Sequence, residues 1–192
     1  MTLPITQYGN PILRQKGARI EKITPAITQL IDDMFAAMKK SKGVGLAAQQ
    51  VGHALQLTVL DVREVTDRPS TLELDGQPAP VASLMPLVLI NPQVKPVGQP
   101  FTGPEGCLSF PEIFADITRP ESVEVTALNE KGEAISFRCG GLLAKAVQHE
   151  YDHLQGILFI DRMTAAVKAE VKPDLDTLQA DTKAALKKKK ST

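Results

Sequence analysis

Leu142-Leu143-Ala144-Lys145-Ala146-Val147-Gln148-His149-Glu150-Tyr151-Asp152-His153-Leu154-Gln155-Gly156 is the stretch from which the rest of the chain can be read. It reads as a helix that ends at Gly156, a C-terminal cap signal. Within it lies His-Glu-x-x-His. At about 3.6 residues per turn, His149 and His153 sit one above the other on one face and can offer two imidazole nitrogens to a single cation. Glu150 follows the first of them directly. Its carboxylate then lies beside that cation, near enough to take a proton from activated water without being a ligand itself. An isolated histidine on a helix is usually a satisfied core or surface residue. This chain has only three histidines, and two of them flank a glutamate at ligand spacing.

At 192 residues, with 43% apolar and 23% charged side chains, the composition is that of one soluble globular domain with a sizeable core. Lysine plus arginine equals aspartate plus glutamate at 22 each, which argues against nucleic acid or an anionic membrane as the main partner. The run from Lys187 to Lys190 reads as a solvated tail. Met1-Thr2-Leu3-Pro4-Ile5 lacks the basic and then apolar pattern of a secretory leader, and no apolar stretch is long enough to cross a bilayer. A cytoplasmic location is therefore expected, with Cys107 and Cys139 unpaired in that reducing compartment.

Thr24-Pro25 offers an N-cap followed by proline at the first helical position. Ile27, Leu30, Ile31, Met34, Phe35 and Met38 then recur at the spacing of one helical face, predicting an amphipathic N-terminal helix that stops at Ser41-Lys42-Gly43. The following Gly43-Val44-Gly45-Leu46-Ala47-Ala48-Gln49-Gln50-Val51-Gly52 suggests a backbone that something approaches closely. It lacks the Gly-Lys-Ser/Thr ending of a phosphate loop. Leu57 to Val62 and Leu87 to Ile90 read as short strands. Arg63 to Pro86 between them, rich in Pro, Gly, Ser and Asp, reads as a long surface loop or flap. Glu121 to Leu128 and Glu133 to Cys139 form a β-hairpin around the turn residues Asn129-Glu130-Lys131-Gly132. Ile157 to Ile160 is expected to be one more short strand, and Pro173 to Leu186 a weaker C-terminal helix. Residues 1–165 are read as one catalytic domain and 166–192 as a C-terminal helix or tail.

A catalytic metal usually has three protein ligands and an open position. The candidates for the third ligand are Cys107, Cys139, His53 and the carboxylates. Glu105-Gly106-Cys107-Leu108-Ser109 stands out, because Pro100, Gly103 and Pro104 precede it and such a loop can expose the sulfur.

Three segments in order, Gly43-Val44-Gly45-Leu46-Ala47-Ala48-Gln49-Gln50, Glu105-Gly106-Cys107-Leu108-Ser109 and Gln148-His149-Glu150-Tyr151-Asp152-His153, together resemble the signature motifs of peptide deformylase. The resemblance runs from about Ile5 to Met163. It implies an α+β fold, with antiparallel β-sheets packed around a central metal-binding helix and a separate N-terminal helix. It also implies removal of the formyl group from the N-terminal formyl-methionine of new polypeptides, releasing formate. By the same resemblance Cys107, His149 and His153 are the metal ligands and Glu150 is the general acid/base. Gln50 and the backbone N–H of Leu108 would hold the oxyanion, while Gln49 takes no such role. Substrate contacts are expected at Val44, Gly45, Glu105, Gly106, Leu142 and Ala146. Val44, Leu142 and Ala146 would seat the methionine side chain, with the aliphatic stem of Lys145 on the same wall. Arg119 and Asp152 fall where the family has a supporting ion pair.

Ligand chemistry alone favours zinc, since a thiolate and two imidazoles suit it. The resemblance implies one Fe(II) per chain, with Zn(II) or Ni(II) as alternatives. Expected partners are formyl-methionyl nascent chains and a transient ribosome contact, with no membrane and no nucleic-acid specificity, the protein acting as a monomer. Two rival readings stand beside this one. A zinc peptidase would use the same His-Glu-x-x-His motif, usually with a further Glu or His downstream. A structural metal module would close four ligands, Cys107, His149 and His153 with Cys139 or His53, leaving Glu150 and Gln50 without purpose.

Overall fold

The Thr24 side chain accepts a hydrogen bond from the Ile27 N–H at 3.4 Å, and Pro25 opens α1 (Pro25–Lys40). Its apolar stripe buries Leu30, Ile31, Met34, Ala37 and Met38 against Leu46, Leu57, Val59 and Ile90. The structure, a computed structural model, describes residues 3–190. Met1 and Thr2, which entered the leader reading, lie outside the described residues, as do the side chains of Lys189 and Lys190 in the terminal lysine run.

Among the described residues seven strands form one sheet: β1 (Gly45–Ala47), β2 (Leu57–Leu60), β3 (Ser70–Leu74), β4 (Gln77–Pro78), β5 (Leu87–Cys107), β6 (Phe110–Leu128) and β7 (Ala134–Gly140). Their order is β1-β2-β5-β6-β7-β3-β4, and every neighbouring pair is antiparallel. The architecture is α+β. The β6–β7 turn is closed by the Asn129 carboxamide oxygen, which accepts from the N–H groups of Lys131 and Glu133, both at 2.9 Å. Helix α2 (Gly141–Leu154) packs Leu143, Ala144 and Val147 onto Leu72, Val123, Val125 and Phe137 of the sheet. The chain turns away at Gly156, where φ is +73° and an added Cβ would lie 2.5 Å from the Arg14 carbonyl oxygen. No helix among the described residues is long and apolar enough to cross a membrane.

The structure corrects five expectations. Arg63 to Pro86 is not a free flap, since it contains β3 and β4, and β3 pairs with β7 from Thr71↔Gly140 to Glu73↔Arg138. It also caps the metal-motif helix: the Pro69 carbonyl accepts from the Leu142 N–H at 3.1 Å and the Ser70 hydroxyl from the Leu143 N–H at 3.0 Å. The strand expected over Leu87 to Ile90 runs on to Cys107, and the one expected over Glu121 to Leu128 already starts at Phe110. Ile157 to Ile160 is no strand. Phe159–Asp161 is a 3-10 turn, held by the Asp161 carboxylate accepting from the Leu158 N–H at 2.9 Å. The C-terminal helix, α3 (Ala165–Lys190), starts before Pro173 and contains it. Thr164 serves its first turn, accepting from the N–H groups of Val167 at 3.3 Å and Lys168 at 2.9 Å. A third core joins Leu13, Phe110, Ile117, Phe159 and Ile160 to Leu175 of α3.

Candidate active site

Strand β5 delivers Cys107 at its end, and α2 delivers His149 and His153 from successive turns. The three offer ligand atoms that all lie within 4.8 Å of one another, and Cys107 Sγ is 3.3 Å from His153 Nε2. Cys139 and His53 do not join them. Cys139 is buried in β7, where burial pushes its thiol up to about 12, and His53 is exposed. Among the described residues, therefore, the closed four-ligand module does not form.

His149 Nδ1 lies 3.0 Å from Glu105 Oε2, which leaves Nε2 as its donor atom. Strand geometry explains the contact, because Glu105 and Cys107 are two residues apart on β5 and share a face. Glu105 is also gripped by Arg119, with Nε and Nη2 donating at 2.6 and 3.1 Å. Arg119 Nη1 donates to Asp152 at 2.9 Å, and Arg162 donates to both oxygens of Asp152 at 3.1 and 2.6 Å. Burial would raise the Glu105 carboxyl, but hydrogen bonds from His149 and Arg119 overcome it and hold the group at about 2. Burial alone would lower His149. Contacts with Cys107 and Glu105 reverse that and lift it well above the ordinary imidazole range. His153, desolvated and facing the His149 charge, goes the other way.

Glu150 is buried, and burial pushes its carboxyl up to about 7. Its position depends on Gly45, where an added Cβ would stand 2.5 Å from Glu150 Oε1 and 2.8 Å from Cγ. Gly45 is a strand residue that leaves room for a carboxylate, rather than a turn residue. Glu150 Oε2 is a buried oxygen with no hydrogen-bond partner. A thiol, two imidazoles with one oriented by a carboxylate, and an unpartnered acid beside them are a donor set that fits one divalent metal ion.

Gln50 sits in the 3-10 turn Ala48–Val51 that follows β1. Its Oε1 accepts from the Ala47 N–H at 2.9 Å, which fixes the orientation of the carboxamide. The Nε2 group therefore points at Cys107 Sγ, 3.5 Å away, and at Ser109 Oγ, 3.3 Å away. Gln49 is fully buried and donates to the Gln15 carbonyl at 3.4 Å, consistent with a structural place. A cleft of about 520 Å³ opens over this group, and Val44, Gly45, Glu105, Gly106, Leu108, Leu142 and Ala146 all line it. Leu142 and Ala146 also belong to the sheet-facing core, so they serve both surfaces.

Sequence reasoning missed three participants. Glu105, expected as a substrate contact, lines the cleft and also engages His149 and Arg119, a role for which its spacing of two from Cys107 was the available signal. Ser109 repeats that spacing. Arg162, with a side chain 45% exposed, gave no local signal for its grip on Asp152.

A family model described as Polypeptide deformylase matches residues 2–169. The chain belongs to this family. A peptide deformylase of Opitutus terrae is 42% identical over 189 residues, covering 97% of this chain and 98% of its own. That of Methylacidiphilum infernorum is 44% identical over 179 residues, covering 93% and 94%. Among solved structures, a plant peptide deformylase, PDF1B, superposes with a TM-score of 0.81 at 37% identity, covering 95% of this chain and 92% of that one. A peptide deformylase from Synechococcus elongatus in complex with actinonin gives 0.76 at 37% identity, covering 92% and 85%. As a member of the family, this protein is a hydrolase that removes the formyl group from the N terminus of newly made polypeptides.

Proposed function

We propose that deformylation is carried out by Cys107, His149 and His153 as the metal ligands, Glu150 as the proton carrier, and Gln50 with the Leu108 N–H as the oxyanion donors. The observation that carries this reading is the convergence of the three ligand atoms within 4.8 Å, with Glu150 beside them in the same cleft. A divalent metal held there supplies Lewis acidity that makes water nucleophilic near neutral pH. Glu150 takes the proton from the attacking water and returns it to the amide nitrogen, so that formate and a free amine result. Gln50 Nε2 donates to the formyl oxygen as it gains negative charge. Its carboxamide is already oriented through Ala47, so no reorganisation is needed during the reaction. Glu105 orients His149, and the chain of Arg119, Asp152 and Arg162 holds Glu105 in turn.

Val44, Leu142 and Ala146, with the stem of Lys145, form the seat for the methionine side chain, while Gly45, Gly106 and Glu105 supply the cleft wall along the reacting residue. The protein is read as a cytoplasmic monomer that meets formyl-methionyl chains as they emerge from the ribosome. Fe(II) is taken as the working metal on the family resemblance, with Zn(II) and Ni(II) as alternatives. The deciding assay is formate release from a formyl-Met peptide by anaerobically prepared protein loaded with each metal in turn. Formate is expected with metal and none after chelation, with turnover highest for iron. Higher turnover with zinc would overturn the choice of iron, and peptide-bond cleavage without formate would favour a peptidase.

A further inference from the structure

Beside the catalytic cleft lies a second one of about 590 Å³, whose lining includes Phe101, Pro104, Pro120 and Leu142. Phe101 is 63% exposed, although it is a large apolar ring. The two clefts share Arg68, Pro104, Leu142 and Lys145. Leu142 is buried, Lys145 half-buried, and Arg68 and Pro104 exposed, so the shared residues form a partition from floor to rim. Lys145 is the shared residue that a hydrogen bond hooks across to strand β5. Its ammonium donates to the Gly103 carbonyl at 2.6 Å and stands 3.9 Å from Glu105 Oε1.

We propose that the second cleft is an annex of the methionine pocket, and that Lys145 is the stop that keeps the annex closed to the first side chain of the substrate. This rests on the reading of the catalytic cleft given above. Methionine is linear and ends at its thioether methyl group, so its side chain would reach the partition end-on. A longer linear side chain could gain apolar surface in the annex only by displacing the lysine. Each methylene so buried strengthens binding by about fourfold. With the hook in place that gain is withheld, and selectivity for methionine length follows.

The test compares formyl-Met with formyl-2-aminodecanoyl peptides in the metal-loaded full chain, reading the ratio of kcat/KM for the long side chain to that for methionine. Lys145→Ala is expected to raise the ratio by roughly tenfold or more, since several methylenes then enter apolar surroundings. Adding Ser122→Phe, which puts bulk into the annex at a lining residue the catalytic cleft does not share, should cancel the rise. If Lys145→Ala does not fold, Lys145→Met keeps the stem without the hook and should raise the ratio by a smaller factor. A ratio that is unchanged in the folded variants, or a rise that survives Ser122→Phe, overturns the proposal. Deformylation of formyl-Met by the unaltered protein is measured alongside, and its failure would sink the underlying reading of the cleft instead.

Discussion

Glu150 and Gln50 are held by different means, and their substitutions should differ accordingly. Glu150 is fixed by close packing against Gly45, with one oxygen unpartnered. Glu150→Gln preserves that packing and removes the proposed proton carrier. Metal content should stay near one ion per chain while kcat falls by about 10²–10⁴-fold. Retained turnover would take Glu150 out of the mechanism. Gln50 is fixed by a hydrogen bond from the Ala47 N–H, and Gln50→Ala removes the donor proposed for the forming oxyanion. The expected loss of transition-state stabilisation is about 3 kcal/mol, read mainly in kcat. A raised KM at constant kcat would mean that the side chain only positions substrate. Glu150 stands out in the sequence through His-Glu-x-x-His and Gln50 only through the family resemblance, whereas no motif carries Glu105's hold on His149, which crosses from β5 to α2.

At the scale of elements, α2 takes its precision from the strands around it. β1 brings Gly45 against Glu150, so Gly45→Ala must displace the carboxylate or the strand. Metal should be retained, since the three atoms nearest the added Cβ all belong to Glu150 and not to a proposed ligand, while kcat drops. Normal kinetics in that variant would show that Glu150 has slack. The N-terminus of α2 is capped from outside by Ser70, and Ser70→Ala should cost about 1 kcal/mol in urea denaturation. No change would mean that water replaces the hydroxyl. Neither Ser70 nor β3 was legible, because a five-residue strand set among Pro, Gly and Asp carries too little pattern, and its partner β7 lies far along the chain. The length of β5 was hidden by its prolines, Pro92, Pro96, Pro100 and Pro104. Past Ile90 this strand pairs only with β6, and an open edge tolerates missing donors. By contrast α1, the β6–β7 turn with β7, and α2 are written in local periodicity and turn residues, and the structure has them near their expected limits, whereas β6 starts at Phe110, well before the expected Glu121.

Across the whole molecule, the candidate metal ligands join parts of the chain that the sheet alone does not tie together. Cys107 ends β5, and His153 lies 46 residues further on in α2. A metal ion that binds all three ligands binds only the folded arrangement and so stabilises it by mass action. With free metal about a thousandfold above its Kd, the gain is about 4 kcal/mol. For a chain of this size each kcal/mol raises the melting temperature by roughly 2–4 °C, so loaded protein should melt about 10 °C above chelator-stripped protein. Glu150→Gln should show the same shift, because it leaves the ligands in place. Cys107→Ser should lose most of it while keeping the melting temperature of the stripped form. Loaded and stripped protein melting together would show that these three side chains do not hold a metal. An undiminished shift in Cys107→Ser would place the ion elsewhere.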